Sequence, residues 1–108
     1  MSDKFKAIVL NKSGDQFSRE IKTLDKNFFK TGDVLVKVDY SALNYKDALI
    51  LRDGGKLVKE YPHIPGIDFS GKVIESDSAD FKIGDDVVLT GCRVGEISPG
   101  GYAQLVKV

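Results

Sequence analysis

The chain has 108 residues, a length typical of a single domain built around one hydrophobic core. Apolar residues make up 42% of it and charged residues 30%, close to ordinary globular usage, which argues against a disordered, collagenous or coiled-coil chain. Sixteen basic residues balance sixteen acidic ones, so the chain lacks the long-range positive field on which general binders of nucleic acid or anionic membranes rely.

β-Branched and aromatic residues cluster in short runs with a period near two, a pattern that predicts a chain dominated by strands. Phe5, Ala7 and Val9 alternate with Lys6 and Ile8 in a first strand. The turn-forming residues NKSGD then lead into FSREIKTL, which predicts that a β-hairpin opens the fold. The turn Thr31-Gly32-Asp33 introduces the most strongly patterned strand, VLVKVDYSAL.

One segment, YKDALILRD, has a helical pattern. Asn44 is available as its N-cap and Gly54-Gly55 as its terminator. At about two turns such a helix needs tertiary packing to persist. Beyond it, Pro62 and Pro65 bracket an extended connection, because each proline pushes its predecessor out of the α region.

The rest of the sequence predicts more strands, DFSGKVIES, VVLTG and GGYAQLVKV, of which the last runs to the end of the chain. Gly71 lies inside the first of these, where a glycine marks a bulge or a close approach of backbone. The turn Ile83-Gly84-Asp85-Asp86 introduces the second. We therefore predict a mostly β fold, a small, partly open antiparallel barrel with one short helix.

Cysteine and histidine each occur once. Cys92 alone can form neither an intrachain disulfide nor a structural zinc site, so we expect a reducing, cytoplasmic setting and a loop or half-buried thiol. We expect His63, between its two prolines, to face solvent or to cap a turn. No apolar run approaches 18 residues and MSDKFKAIVL contains no secretory signal, so we expect no membrane partner.

Three motifs are specific enough to suggest a family, and together they cover most of the chain: SALNYKDALIL, YPHIPGIDFSGKV and KIGDDVVLTGCRVGEISPGGYAQLVKV. By these motifs the chain resembles the N-terminal, GroES-like catalytic lobe of the medium-chain dehydrogenase/reductase superfamily. Within that superfamily it is most similar to the zinc-independent branch of acryloyl-CoA reductases and NADPH quinone oxidoreductases. The resemblance implies a GroES-like fold over residues 1–108.

The resemblance also bears on metal binding. Zinc-dependent members place a Cys-His pair where this chain has Asn44-Tyr45, and Gly-His-Glu where it has Gly66-Ile67-Asp68. Asn is a poor zinc ligand and Ile is none, whereas a catalytic zinc needs about three protein ligands. We therefore predict no metal.

Without a metal, the resemblance implies that a hydride from NADPH reduces a quinone or an α,β-unsaturated thioester while hydrogen-bond donors polarise its carbonyl. Asn44 and Tyr45 would line the nicotinamide and substrate pocket, Asn44 as an amide donor and Tyr45 as a donor of a hydrogen bond or a proton. Asp47 lies on another face of the helix from Tyr45, and we expect it to orient its neighbours. The alternative is that Asn44 only caps the helix and Tyr45 packs as an ordinary aromatic residue.

Glycine-containing loops are expected beside the cofactor cleft. The resemblance implies cofactor contacts at Thr90 and Gly91 and a substrate contact at Tyr102, since glycine lets backbone approach a ligand closely. The same residues can equally be turns that shape a barrel. We expect Asp68 to be partly buried and to need a partner.

A basic cluster follows the pocket segment, made of Arg52, Lys56 and Lys59. Such a cluster could hold the phosphates of a CoA ester. The alternative, which we favour for these residues, is a solvated surface.

Full-length relatives continue into a Rossmann domain whose glycine-rich turn holds the cofactor pyrophosphate. No G-x-G-x-x-G occurs here, so we expect this chain alone to bind NADPH weakly and to turn over nothing. The resemblance implies homodimers for the full-length relatives. Two alternatives stay open: a binding module on the same barrel that takes a ligand or partner without cofactor, and a structural domain that forms rings like the co-chaperonin barrel.

Overall fold

The computed structural model describes residues 4–54, 57–91, 94–96 and 98–108. Within these ranges lie six strands, one α-helix and a short 3-10 helix, Lys26–Phe28. In chain order the strands and the α-helix are β1 (Lys4–Ser13), β2 (Gln16–Asp25), β3 (Val34–Ser41), α1 (Tyr45–Asp53), β4 (Asp68–Ser76), β5 (Asp86–Thr90) and β6 (Leu105–Lys107).

The strands form two antiparallel sheets. β1 and β2 make a hairpin, and the other sheet has the strand order β5-β4-β3-β6. The second edge of β1 is tied to the rest of the chain, because Ile8 N–H donates to the carbonyl of Tyr102 at 2.9 Å and Leu10 N–H to that of His63 at 2.7 Å. The predicted mostly β, partly open antiparallel architecture is confirmed, and the sheets do not close into a barrel.

The core lies between the two sheets and follows the predicted alternation. Phe5, Ala7 and Val9 of β1 are buried and Phe5 stacks on Phe29 with ring centroids 5.2 Å apart. Burying one such aliphatic or aromatic side chain contributes about 1.5 to 3 kcal/mol. The same cluster holds side chains from β3, β4 and β6: Val34, Leu35, Val36, Phe69, Val73, Leu105 and Val106.

Gly71 is a point of close approach between strands, as predicted. A Cβ at this position would collide with the backbone carbonyl of Lys37 on β3. The register between β3 and β4 also shifts here, between Val38 and Tyr40. A side chain at position 71 would force these two strands apart.

Helix α1 has the predicted bounds, with Asn44 as N-cap and Gly54 as C-cap in the left-handed conformation at φ 85°. Its inner face contributes Ile50, which is fully buried in a second apolar cluster with Leu10 and Val58. The side chain of Arg19 on β2 donates from Nη1 to the carbonyls of Leu51 at 2.8 Å and Arg52 at 3.1 Å. These contacts supply the tertiary packing that so short a helix needs.

The predicted solvent-facing position of His63 is wrong, because this residue is buried with 2% of its surface exposed. The alternative, that its side chain caps a turn, agrees with its bond to the turn residue Gly95. The extended segment between the two prolines lies across β1, where His63 and Leu10 exchange backbone hydrogen bonds. The imidazole Nε2 lies 2.8 Å from the carbonyl oxygen of Gly95, and since a carbonyl only accepts, Nε2 carries the hydrogen. Burial lowers the pKa of His63, although the bond to Gly95 opposes this effect.

Two predicted strands are shorter than expected. β3 ends at Ser41 and not at Leu43, because the chain turns there into the N-cap of α1. β6 covers only Leu105–Lys107, and before it Ala103 makes a single bridge to Ala7 of β1. Cys92 and Gly55 lie outside the described residues. Within the described ranges no helix is long and apolar enough to cross a membrane.

Candidate active site

The candidate site is built around the first turn of α1. Asn44 has an extended backbone, φ −115° and ψ 167°, and forms a capping box with Asp47. Asp47 Oδ2 accepts from the backbone N–H of Asn44 at 3.0 Å. A carboxylate in the first helical turn also interacts favourably with the helix dipole. The predicted capping role of Asn44 and orienting role of Asp47 are thus both visible in the local geometry.

Asp47 connects this turn to a distant segment. Its side chain is fully buried, and its Oδ1 accepts from the backbone N–H of Ile67 at 2.9 Å. Ile67 lies in the loop that enters β4, 20 residues further along the chain. Because a buried carboxylate needs several donors, these bonds hold the start of α1 and the β4 loop together.

The Asn44 side chain lies between two carboxylates. Its Nδ2 is 3.2 Å from Asp47 Oδ2 and 3.2 Å from Asp68 Oδ2. Carboxylates in this setting are acceptors, so the amide nitrogen and not the amide oxygen faces them. An amide nitrogen has two hydrogens, so Nδ2 can donate one to each of these carboxylates.

Asp68 begins β4 and is partly buried, as predicted. It pairs with Thr90 of β5 in the register of the sheet. Its Oδ2 accepts from Asn44, whereas its Oδ1 is buried without a hydrogen-bond partner among the described residues. Both strands contribute to an open surface pocket of about 210 Å³, lined by Tyr40, Ser41, Ala42, Asp68, Phe69, Ser70, Val88 and Thr90.

Tyr45 is 80% exposed, directly after the N-cap. It does not pack into the core of this chain. Since Asp47 is fully buried two residues later, the two side chains lie on different faces of α1, as predicted. A phenol in this position is accessible to a ligand beside Asn44.

Tyr102 reaches the same region from the C-terminal part of the chain. Its hydroxyl donates to the carbonyl oxygen of Ala42 at 2.8 Å, two residues before Asn44. Burial, followed by the nearby Asp47 carboxylate, raises the pKa of Tyr102 well above its usual value. The hydroxyl therefore keeps its proton and holds the segment that precedes α1.

Of the predicted basic cluster, Arg52 lies away from Asn44. Arg52 is in the last turn of α1, roughly 12 Å along the helix axis from Asn44 at 1.5 Å per residue. Lys59 follows α1 and is exposed, and Lys56 lies outside the described residues. Gly91 follows Thr90 with φ 73°, in open space. The structure brings Asn44, Asp47, Asp68, Thr90 and Tyr102 together and leaves Arg52 at the far end of α1.

Sequence reasoning missed the side-chain contacts that join this site. The spacing of Asn44 and Asp47 is that of a capping box, so the sequence alone could have predicted their contact. No sequence pattern pointed to the contact of Lys46 Nζ with Glu96 Oε2 at 3.3 Å, which joins α1 to a buried carboxylate 50 residues away. Among the described residues, no three Cys, His, Asp or Glu side chains gather as metal ligands.

Comparison with protein families and curated proteins gives consistent matches. The family model of the alcohol dehydrogenase GroES-like domain matches residues 30–108. Acrylyl-CoA reductase AcuI of Ruegeria pomeroyi is 46% identical over 106 residues, which make up 96% of this chain and 32% of the reductase.

Solved structures agree in fold. The yhdH oxidoreductase of Salmonella enterica, in complex with NADP, superposes with a TM-score of 0.90 at 40% identity, over 95% of this chain and 32% of its own. The yhfP protein of Bacillus subtilis, with NAD bound, superposes with a TM-score of 0.92 at 38% identity, over 99% of this chain and 32% of its own. The chain thus spans about one third of the length of these relatives.

Proposed function

Because this chain belongs to the family of the alcohol dehydrogenase GroES-like domain, we propose that it forms the substrate-side lobe of a zinc-independent oxidoreductase. The proposed reaction reduces an α,β-unsaturated thioester, such as acryloyl-CoA, or a quinone with a hydride from NADPH. The observation that carries the proposal is the hydrogen bond between Asn44 and Asp68, two residues that by the resemblance stand at metal-ligand positions of zinc-dependent relatives. Asp47 joins this pair through its own bond to the Asn44 side chain. The similarity of the chain to an acrylyl-CoA reductase supports the proposed thioester substrate.

The chain's own residues would bind and polarise the substrate. NADPH, when bound, supplies the hydride. The electrostatic task of a metal then falls to a hydrogen-bond donor aimed at the carbonyl oxygen, and the exposed Tyr45 hydroxyl is the donor we propose. Asp47 holds Asn44 beside it, and Tyr102 holds the preceding segment through Ala42.

The pocket beside Asp68 suits the nicotinamide end of the cofactor. It combines the aromatic side chains of Tyr40 and Phe69 with the polar side chains of Asp68 and Thr90, a lining that fits a planar ring with a polar substituent. We propose that Asn44, Thr90 and Gly91 contact this end. The sequence has no G-x-G-x-x-G turn for the pyrophosphate, so a Rossmann domain in the same polypeptide would have to supply it.

Arg52, Lys56 and Lys59 remain candidates for the phosphates of a CoA ester. The roughly 12 Å between Asn44 and Arg52 along α1 is a separation that the long pantetheine arm of CoA would span. A quinone has no such phosphates and would leave these residues solvated. Reversing the charge at Arg52 should therefore impair the reduction of a CoA ester and not that of a quinone, which distinguishes the two substrate classes.

A chimeric enzyme tests the proposal. This chain replaces the corresponding lobe of the Ruegeria pomeroyi reductase, circular dichroism verifies folding, and NADPH oxidation is followed with acryloyl-CoA and with a quinone. We expect turnover of at least one substrate and a loss of kcat of roughly 100-fold in Tyr45→Phe, the usual contribution of a positioned acid. Tyr61→Phe, a hydroxyl in the apolar cluster behind α1, is the matched control. A folded chimera that oxidises NADPH with neither substrate would refute the proposal.

The isolated chain gives a second test. Because it has no pyrophosphate-binding turn, we expect titration of NADPH fluorescence to show no binding in the micromolar range. Micromolar binding would contradict the proposal that a Rossmann domain supplies the pyrophosphate site. It would favour a module that binds its ligand on its own.

A further inference from the structure

The hydrogen bonds that Asn44 makes within the protein determine which kind of ligand group its side chain can bind. We infer that Asn44 acts as a hydrogen-bond acceptor through its Oδ1, so that its ligand is a group with N–H or O–H hydrogens, such as the primary carboxamide of a nicotinamide. The inference rests on the proposed function for the identity of that ligand. It assigns to Tyr45 alone the donor role toward the substrate carbonyl.

The first step is the count of hydrogens on Nδ2. An asparagine amide has two N–H hydrogens and an oxygen with two lone pairs. The two hydrogens face Asp47 Oδ2 and Asp68 Oδ2, each at 3.2 Å. A substrate carbonyl can take a hydrogen from this amide only if one carboxylate loses it. One lone pair of Oδ1 faces the backbone N–H of Asp47 within the capping box, and the other can accept a hydrogen bond from a ligand.

The second step is that moving either carboxylate away from Asn44 would cost hydrogen bonds. Asp47 is fully buried and bound to two backbone N–H groups, those of Asn44 at 3.0 Å and Ile67 at 2.9 Å. Asp68 is part of β4 and paired with Thr90 on β5. Rotating Asp47 out of reach would break bonds that hold α1. Rotating Asp68 away would lose the bond from Asn44 to a carboxylate whose other oxygen already has no partner among the described residues.

The third step excludes the flipped amide. If the amide were rotated by 180°, its oxygen would face two carboxylate oxygens and both hydrogen bonds would be lost. Two carboxylates this close to the amide make the local potential negative, which repels another oxygen. The buried Oδ1 of Asp68 also has no partner among the described residues and would gain none from the flip. Asp47 and Asp68 are thus positioning residues that hold the Asn44 amide in one orientation.

The first experiment needs no ligand. NMR of the 108-residue chain measures hydrogen exchange of the Asn44 side-chain amide, with the exposed Asn27 as internal reference. We expect both Asn44 hydrogens to exchange roughly 10-fold or more slowly than those of Asn27, because hydrogen-bonded amides are protected. Asp68→Ala should release one of them, whereas Asp68→Asn, which keeps a carbonyl acceptor, should retain protection. One Asn44 hydrogen exchanging at the reference rate in the unaltered chain would overturn the inference.

The second experiment tests the ligand group with two matched probes, nicotinamide and N,N-dimethylnicotinamide, which differ in the presence of N–H hydrogens. We expect nicotinamide to shift the resonances of Asn44 and Thr90, and the dimethyl compound to bind at least 10-fold more weakly. Equal binding of the two probes, or no effect of nicotinamide up to its solubility limit, would overturn the assignment of a donor ligand.

These outcomes are separate from the test of the proposed function. If the chimera is inactive, but the Asn44 hydrogens are protected and the two probes bind differently, the proposed reaction is refuted. The inference that Asn44 acts as a hydrogen-bond acceptor then still holds. An active chimera with an unprotected Asn44 hydrogen would refute the polarity alone.

Discussion

Replacing Asp47 by asparagine tests whether this buried carboxylate holds the site together. The carboxylate accepts from Ile67 N–H on one oxygen and from the backbone and side-chain N–H groups of Asn44 on the other. Asparagine offers one acceptor and one donor, so in either orientation its NH2 group faces at least one of these N–H groups. The substitution therefore removes at least one hydrogen bond and buries an N–H without a partner.

The expected cost follows from those two effects. A hydrogen bond to a charged group contributes about 1.5 to 3 kcal/mol, and a buried donor without a partner costs about 1 to 3 kcal/mol. We expect Asp47→Asn to lower the free energy of unfolding by roughly 3 kcal/mol, a factor of roughly 100 in the unfolding equilibrium. For a domain of this size the melting temperature should fall by roughly 12 to 24 °C.

Urea unfolding followed by circular dichroism measures this change, with the m-value required to stay constant so that the same transition is compared. Asp39→Asn, an exposed aspartate on β3, is the matched control and should change stability by less than about 0.5 kcal/mol. If the free energy of unfolding of Asp47→Asn lies within about 0.5 kcal/mol of that of the unaltered chain, the reasoning is refuted. In that case the carboxylate would not be the structural link between α1 and β4.

Other positions give independent expectations. Arg19→Met removes both hydrogen bonds to the last turn of α1 and should cost roughly 1 to 2 kcal/mol in urea unfolding, with faster amide exchange in that turn. Gly71→Ala places a Cβ against a backbone carbonyl and should cost roughly 1 to 3 kcal/mol by thermal unfolding. Burial lowers the pKa of His63, so the unfolded chain takes up a proton first as the pH falls. Stability should be level above about pH 6.5 and should decrease below it, a loss that His63→Gln abolishes in unfolding curves recorded from pH 8 to pH 5.

Each of these expectations has a control. Lys12→Met removes an exposed cation from the same hairpin as Arg19 and should leave α1 unchanged. Gly84→Ala meets open space and should show only the strain of a positive φ, which is smaller than the collision at Gly71. If His63→Gln keeps the full pH dependence of the unaltered chain, other groups cause it and the buried imidazole does not.

Local features of this protein follow from its sequence. The bounds of α1 are set by Asn44 at one end and Gly54 at the other, because capping and the left-handed conformation depend on neighbouring residues alone. The opening hairpin likewise follows from alternating apolar residues around a glycine-containing turn. The opposite exposure of Tyr45 and Asp47 follows from helical periodicity.

Tertiary structure decided how these elements meet. Local patterns suggested a surface role for His63, yet its backbone pairs with β1 and its ring is enclosed. The orientation of the Asn44 side-chain amide depends on Asp68, a residue 24 positions away. The sheet brings the Asp68 carboxylate within 3.2 Å of the amide nitrogen. Backbone conformation is governed by sterics and hydrogen bonds among adjacent residues. The partners of a buried polar group, in contrast, are set by how the whole core packs, which patterns within single segments do not encode.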